Sequence, residues 1–276
     1  MRLPFIKMHG LGNDYVYIDC FQTKTARLIA KTDLHALARH ISDRHFGVGS
    51  DGLVLILPSK EADAKMRIFN ADGSEAEMCG NAIRCVAKYL YKSGLCPKTH
   101  LFIETLAGIR ALTLRAIQGQ VLEVTVNMGA PHMRPDVLMR GDDPIGFSSV
   151  NIGNPHAVFF RHTMQQIEEI TTYGQLVSTH PHFPEGTNVE FAYVRNVREI
   201  DVRVWERGSG ITLACGTGAC AAAVAAIWNS WTERNVTVHL PGGDLDIRWE
   251  RDTDSVFMTG PATEVFRGEY TWDDEL

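Results

Sequence analysis

The sequence predicts an α/β protein of the α+β kind, built from two pseudo-symmetric halves, and three recurrences predict it. The stretches MRIFNADGSEAEMCGNAIRCVAKYL (66–90) and VRVWERGSGITLACGTGACAAAVAA (202–226) align without a gap. Arg67 matches Arg203, Phe69 matches Trp205, and Cys79-Gly80 matches Cys215-Gly216, at an offset of 136 residues (79 to 215). Gly12-Asn13 is answered by Gly153-Asn154 at an offset of 141 (12 to 153), and Gly49-Ser50-Asp51 by Gly186-Thr187-Asn188 at 137 (49 to 186). Motifs that recur in one order at nearly constant spacing mark a repeat. In each copy of the first motif a short β-type run leads through a polar, turn-rich segment to Cys-Gly, which opens a helix of small residues.

Taken in order, Phe5–Lys7 and Tyr15–Asp19 read as strands flanking the loop MHGLGND. Leu28–Ile41 carries apolar residues at helical spacing, with Thr32 or Asp33 as N-cap. SDRHFGVGSDG is a glycine-rich loop before the buried-looking strand Leu53–Leu57. It is weak evidence for phosphate binding, since it lacks the Lys-Ser/Thr of a P-loop and does not open a helix. A helix over about Asn81–Ser93 stops at Gly94 and Pro97, and His100–Met128 alternates apolar and polar residues as several short strands. The crossing between halves is expected around Gln118-Gly119-Gln120, and Pro131–Pro144, rich in Pro, Gly and Asp, is expected to be a surface connection. The helix after Cys215, GTGACAAAVAA, has little polar face, so strands are expected to wrap it closely.

Length and composition bound the rest. A chain of 276 residues has room for two cores, and 45% hydrophobic with 22% charged residues is ordinary for a globular protein. A net charge of −6 without a basic stripe argues against nucleic acid as a partner. No apolar run reaches membrane-spanning length, and MRLPFIKMHGLGND has no apolar segment of the secretory kind, so a cytoplasmic protein is expected. Six cysteines in a chain of this size do not read as a disulfide framework. The spacings Cys79-x5-Cys85 and Cys215-x4-Cys220 do not match a zinc site, so no metal is expected.

The chemistry concentrates at Cys79 and Cys215. Most free cysteines are small buried hydrophobes, which is the reading for Cys20, Cys85, Cys96 and Cys220. Cys79 and Cys215 differ because the repeat sets both at the start of a helix. The unpaired N–H groups and partial positive charge of a helix N-terminus stabilise a thiolate and seat a carboxylate. A thiol there is expected to fall below its free value of about 8.5. Two such helices facing one anion would equip the protein to move a proton across a carbon next to a carboxylate. Asn13, Asn70, Asn154 and Asn188 lie two per half in the repeated loops; singly each is a turn former, and together they are uncharged groups suited to a polar ligand. Arg207 is placed to clamp a carboxylate, whereas Arg67 and Arg203, inside strands, serve structure. His156 and Glu206 stand near the same loops, either as a capping histidine and a solvated turn glutamate or as groups that tune a thiol.

With these residues in view, the chain resembles the diaminopimelate epimerases over nearly its whole length. The resemblance rests on KMHGLGNDYVYID, RHFGVGSDG, RIFNADGSEAEMCGNAIRC, NIGNPHAVF, FPEGTNVEF, VWERGSGITLACGTGACA and LPGGDLDI. It implies two pseudo-symmetric domains, each a barrel-like, mostly antiparallel sheet around a central helix, with the C-terminal segment returning to the first: 1–118 with 262–276, and 119–261. It implies interconversion of LL- and meso-2,6-diaminopimelate on the route to lysine and peptidoglycan, without pyridoxal phosphate or any other cofactor, often by a homodimer. Carried onto matching positions, Cys79 and Cys215 are the two acid/base groups, assisted by His156 and Glu206. The amides at Gly80-Asn81 and Gly216-Thr217 hold the reacting carboxylate. Asn13, Asn70, Asn154, Asn188, Glu206 and Arg207 bind the remaining polar groups. The chain departs from the pattern at Gly52, where some members carry a substrate-contacting Gln, at Ala82, where glycine is common, and in the extended tail YTWDDEL.

Two other readings compete. One is another cofactor-independent racemase, of the proline or hydroxyproline type, which has no need of the Asn/Arg set that fits a second ammonium and carboxylate. The other is a thiol redox sensor or a non-catalytic binding module, for which no C-x-x-C motif speaks.

Overall fold

The computed structural model describes residues 2–272. The chain divides into two compact units, residues 1–126 with 261–276, and residues 127–260. The first unit begins with β1 (Arg2–Gly10) and β2 (Asn13–Asp19), followed by α1 (Thr23–Ile29) and α2 (Leu34–Ser42). The helical pattern over 28–41 is therefore two helices, broken where Asp33 accepts the His35 and Ala36 N–H groups as N-cap of the second. Then come β3 (Gly52–Leu57), β4 (Ala64–Asn70), the two-residue β5 (Glu75–Ala76), α3 (Gly80–Lys92), β6 (His100–Thr105), β7 (Gly108–Ile117) and β8 (Gln120–Gly129).

The second unit runs through β9 (His132–Arg140), β10 (Asp143–Asn151), β11 (Pro155–Arg161), α4 (Met164–Ile167), α5 (Ile170–Ser178), β12 (Asn188–Asn196) and β13 (Glu199–Glu206). It continues with β14 (Gly210–Ile211), α6 (Gly216–Trp228), β15 (Asn235–Leu240), β16 (Gly243–Trp249) and β17 (Val256–Gly260). The last strand, β18 (Thr263–Thr271), pairs antiparallel with β1 and so belongs to the first unit.

Both units repeat one strand plan. In the first, β18-β1-β2 are antiparallel, β2-β3 parallel, β3-β4 antiparallel, β4-β6 parallel and β6-β7-β8 antiparallel. In the second, β9-β10-β11, β11-β12, β12-β13, β13-β15 and β15-β16-β17 follow the same series of antiparallel and parallel pairings. Two pseudo-symmetric domains are thus present in topology as well as in sequence. Within the second unit α6 packs against β10, β11, β12, β13, β15, β16 and β17, so the sheet curls around it. Its residues 218–227 are all buried, which is why they are small: alanines let seven strands approach one helix. In the first unit α3 packs on β1, β2 and β7.

The outer faces of the sheets carry a second core in each unit. Phe5, Val16, Ile18, Leu53, Leu55 and Phe69 pack with Leu37 and Ile41 of α2. Phe147, Phe159 and Phe191 stack with Ile167 of α4 and Ile170 and Val177 of α5. These side chains alternate along their strands with those that face the central helix, as period-two geometry requires.

Two expected connections prove to be sheet. Gln118-Gly119 is a tight hairpin turn between β7 and β8, both residues at positive φ (49° and 77°), and the units divide beyond it, after Val126. The stretch 131–144 is not a surface connection: β9 and the start of β10 pair from Asp143↔Arg140 to Asn151↔His132. Pro135 lies there opposite Ser148.

Candidate active site

In the first unit the polar turn after β4 delivers Cys79 to the N-cap of α3 in an extended conformation, half-buried. Its thiol donates to Asn13 Oδ1 at 3.5 Å, and Asn81 Nδ2 donates to the same oxygen at 3.3 Å. Asn13 Nδ2 donates in turn to Asp51 Oδ2 at 2.8 Å. The loops before β2 and β3 are tied together by Arg44, which reaches Asp14 and Asp51 at 2.8 Å each, and by Lys7, which pairs with Asp14 and donates to the Gly49 carbonyl. Burial works to raise the Asp14 carboxyl, but Arg44 and Lys7 outweigh it and hold it below the usual carboxylate range. Asp51 is pushed up, by burial first. Asn13 therefore meets Cys79 and Asn81 meets Asn13, whereas the Asn70 side chain donates to Ser74 Oγ at 2.9 Å in its own hairpin.

Arg84 stands behind this cluster, and sequence reasoning passed over it. It is fully buried and donates to Asn81 Oδ1 (2.9 Å), the Gly80 carbonyl (3.2 Å) and the Pro261 carbonyl (3.1 Å). Gly52 also acquires a reason: a Cβ there would lie 2.0 Å from the Phe69 carbonyl oxygen and 2.8 Å from the Tyr15 ring. No glutamine fits that position on this backbone.

In the second unit Cys215 is the N-cap of α6 and is 5% exposed. Its sulfur accepts from the Gly218 N–H at 3.4 Å and lies 3.5 Å from Thr217 Oγ1. Thr217 accepts from Asn154 Nδ2 at 3.3 Å, and Asn154 Oδ1 lies 2.9 Å from His156 Nε2. His156 is buried, and its Nδ1 is 2.7 Å from Glu190 Oε1. Glu206 accepts from the Thr212 hydroxyl at 2.6 Å and is a hydrogen-bond partner of Cys215; burial pushes its carboxyl up.

Asn188 holds the loop that follows: it donates to the Pro155 carbonyl at 3.0 Å and accepts from the Arg207 N–H at 2.9 Å. The Arg207 guanidinium donates to the Glu185 carbonyl at 3.0 Å. Arg67 and Arg203 pair with Glu75 and Glu168, structural partners as their strand positions imply.

One expectation is corrected for Cys215. Its thiol is pushed well above its ordinary range, by burial first and then by the Glu206 carboxylate; the bonds from Thr217 and the Gly218 N–H only partly offset these. The rise favours the protonated form of Cys215. Glu190 was missed because VEFAYV reads as a buried strand, in which one acid among apolar residues gives no periodic signal.

At both helices intrahelical bonding begins one turn in: Ile83 N–H donates to Cys79 O and Ala219 N–H to Cys215 O. The amides of Gly80 and Asn81, and of Gly216 and Thr217, come earlier and point along the axis, where a carboxylate is bound best. Each unit thus sets a thiol at the N-cap of a helix, beside its first-turn amides.

Comparison with known proteins agrees. The diaminopimelate epimerase family model matches residues 5–134 and 148–265. A diaminopimelate epimerase of Desulfitobacterium hafniense is 50% identical over 96% of this chain and 97% of its own, and one of Methanococcus maripaludis is 46% identical over 97% and 99%. Among solved structures, a hydroxyproline epimerase from Agrobacterium vitis superposes with a TM-score of 0.72 at 17% identity, covering 98% of this chain and 92% of that one. A phenazine biosynthesis protein of the PhzF family from Bacillus anthracis gives 0.70 at 16%, covering 98% and 99%. At such identities the structures share the fold; the sequence relatives decide the family. The chain belongs to the diaminopimelate epimerase family, a family of isomerases.

Proposed function

We propose that this protein interconverts LL- and meso-2,6-diaminopimelate by a two-base proton transfer in which Cys79 and Cys215 are the acid/base groups. The observation that carries the reading is the paired arrangement of a thiol at the N-cap of a helix in each of two topologically identical units. One thiolate takes the α-proton and the other thiol returns a proton to the opposite face. The raised Cys215 thiol suits it to give its proton in the first direction, leaving the abstracting role to Cys79.

A positioned acid or base contributes about 10²–10⁴-fold. The first-turn amides of α3 and α6 supply further stabilisation where negative charge develops on the carboxylate. Asn13, Asn70, Asn154, Asn188, Glu206 and Arg207 read the remaining ammonium and carboxylate groups. The thiols and amides together cover the proton transfers, so the reaction calls on neither pyridoxal phosphate nor a metal. The proline-type alternative is supported only by likeness of fold at 17% identity, against 50% for diaminopimelate epimerases.

The resemblance also supports a homodimer, for which the exposed Val265 and Phe266 of β18 offer apolar surface, and a cytoplasmic setting that keeps both thiols reduced. The test is incubation of reduced protein with LL-diaminopimelate in D2O, following α-deuterium uptake and the meso isomer by NMR. Uptake with inversion, lost in Cys79→Ser and Cys215→Ser, is expected. Exchange with proline but not diaminopimelate would discard the substrate, and exchange with neither would discard the enzyme. Light scattering tests the dimer.

A further inference from the structure

Glu190 takes no part in the reaction as derived, yet it is fully buried in β12 and faces the first turn of α6. A Cβ on Gly218 would come within 2.8 Å of Glu190 Oε1, so glycine there admits the carboxyl. Oε1 meets His156 Nδ1 at 2.7 Å, while Oε2 is buried without a hydrogen-bond partner. A bare carboxylate oxygen in such a place is costly, whereas the carbonyl oxygen of a neutral acid is much less so.

The proton arithmetic agrees. His156 Nε2 faces the carbonyl oxygen of Asn154, an acceptor, because the Asn154 amide nitrogen is the group that donates to Thr217. The Nε2 atom must therefore carry hydrogen. Nδ1 then either donates to an ionised Glu190 from a charged ring or, in a neutral ring, accepts from a protonated Glu190; the buried, unpartnered Oε2 favours the neutral pair, since it would otherwise bear charge with no donor. Every bond downstream acquires one direction: Glu190 O–H to Nδ1, Nε2–H to Asn154 Oδ1, Asn154 N–H to Thr217 Oγ1, and Thr217 O–H to Cys215 Sγ.

We propose that Glu190 is a positioning residue which, as a neutral acid donating to His156 Nδ1, orients a one-way chain of hydrogen bonds that ends with the Thr217 hydroxyl hydrogen aimed at the Cys215 sulfur. The chain offers Cys215 a donor when the sulfur carries charge, which is the state it must pass through if it serves as one of the two bases; to that extent the proposal rests on the function given above. The groups facing the Glu190 carboxyl are His156 of β11, Cys215 and the Gly218 backbone at α6, and Glu206 at the end of β13. The arrangement belongs to one unit only. The register Tyr15↔Gly52 answers His156↔Asn188, so Tyr15 and Val54 stand where the second unit has His156 and Glu190. That register also aligns Asn188 with Gly52 and not with Asp51.

The direct test is 15N NMR of His156 in the intact protein, assigned with His156→Gln. A neutral ring with hydrogen on Nε2 and none on Nδ1 is expected. A ring protonated at both nitrogens, or at Nδ1 alone, overturns the proposal. This readout needs no turnover, so it stands or falls apart from the substrate assignment. Substitution adds a second arm. Glu190→Gln keeps a donor to Nδ1 and is expected to retain the wild-type ring state and kcat. Glu190→Leu is expected to lose the ring state and about tenfold in kcat, at unchanged KM, as for residues that orient a catalytic histidine from behind. Equal loss in Gln and Leu would show that charge is what matters and overturn the proposal. Should the Leu variant fail to fold, the wild-type spectrum and the Gln variant decide.

Discussion

Arg84 Nη2 lies 2.9 Å from Asn81 Oδ1, and the Asn81 amide donates in turn to the Asn13 oxygen that receives the Cys79 thiol. A fully buried cation thus fixes the first-turn asparagine of α3 from behind, while its other nitrogens hold Gly80 and Pro261. Arg84→Met keeps the bulk and removes the bonds to Asn81, Gly80 and Pro261. Charged hydrogen bonds are worth about 1.5–3 kcal/mol each, and they are not additive, so a loss of about 4 kcal/mol in urea unfolding is expected. Arg84→Lys, unable to form the fork, should recover only part of it. Stability within about 0.5 kcal/mol of wild type in Arg84→Met would show that the cluster is held by packing alone.

Cys215 should react slowly with iodoacetamide near neutral pH, since only the thiolate attacks and its thiol lies high. After burial, the Glu206 charge contributes most to that rise. Replacing it by glutamine lowers the thiol and should speed alkylation of Cys215 at any pH where Glu206 is ionised, measured by mass spectrometry in a Cys79→Ser background. Slower alkylation in Glu206→Gln would mean that Glu206 acts as a base on the thiol and not as an opposing charge.

Glu75 is drawn below the usual carboxylate range by its two bonds to Arg67, at 2.7 and 2.9 Å. A depressed folded-state value means that the pair stabilises fully above the unfolded carboxyl value, about 4.3, and loses that contribution as pH falls through the lower folded value. Glu75→Gln should therefore cost about 1 kcal/mol at pH 7 and nothing in strong acid, a modest figure because the pair is partly solvated. Chemical denaturation at the two pH values checks it, and an equal cost at both would assign the effect to packing.

Gly218→Ala sets two effects against each other. Alanine inside a helix gains about 1 kcal/mol over glycine. Its methyl would meet Glu190 Oε1 at 2.8 Å and Val204 Cγ2 at 3.2 Å inside a filled core, and overpacking costs about 1–3 kcal/mol. Net destabilisation is expected, with a lower melting temperature in calorimetry; a stabilised variant would show that Glu190 yields freely.

Much of this was legible because repetition is a sequence property. The two Cys-Gly helix starts, the small-residue face of α6 and the Asp33 cap all depend on neighbours close in the chain. What escaped depends on distant partners. Pro135 opposes Ser148 across a hairpin whose pairing its composition conceals, and Glu190 meets His156 through a parallel pair between β11 and β12. Gly52 is required by the carbonyl of Phe69 on the neighbouring strand, a contact no local pattern announces. Arg84, read from sequence, was one more polar residue on a helix.

Because β18 lies against β1, the first unit draws one strand from beyond the whole of the second, whereas the second is contiguous from 127 to 260. During synthesis, at about 5–20 residues per second, the second unit has its whole complement of strands before the first does. Strand β1 waits with one edge unclaimed until residues 263–271 leave the ribosome, so the unit begun before the other is completed after it. A nascent chain that has emerged only as far as residue 260 would therefore carry one unit with all its strands and another with an exposed strand edge seeking a partner.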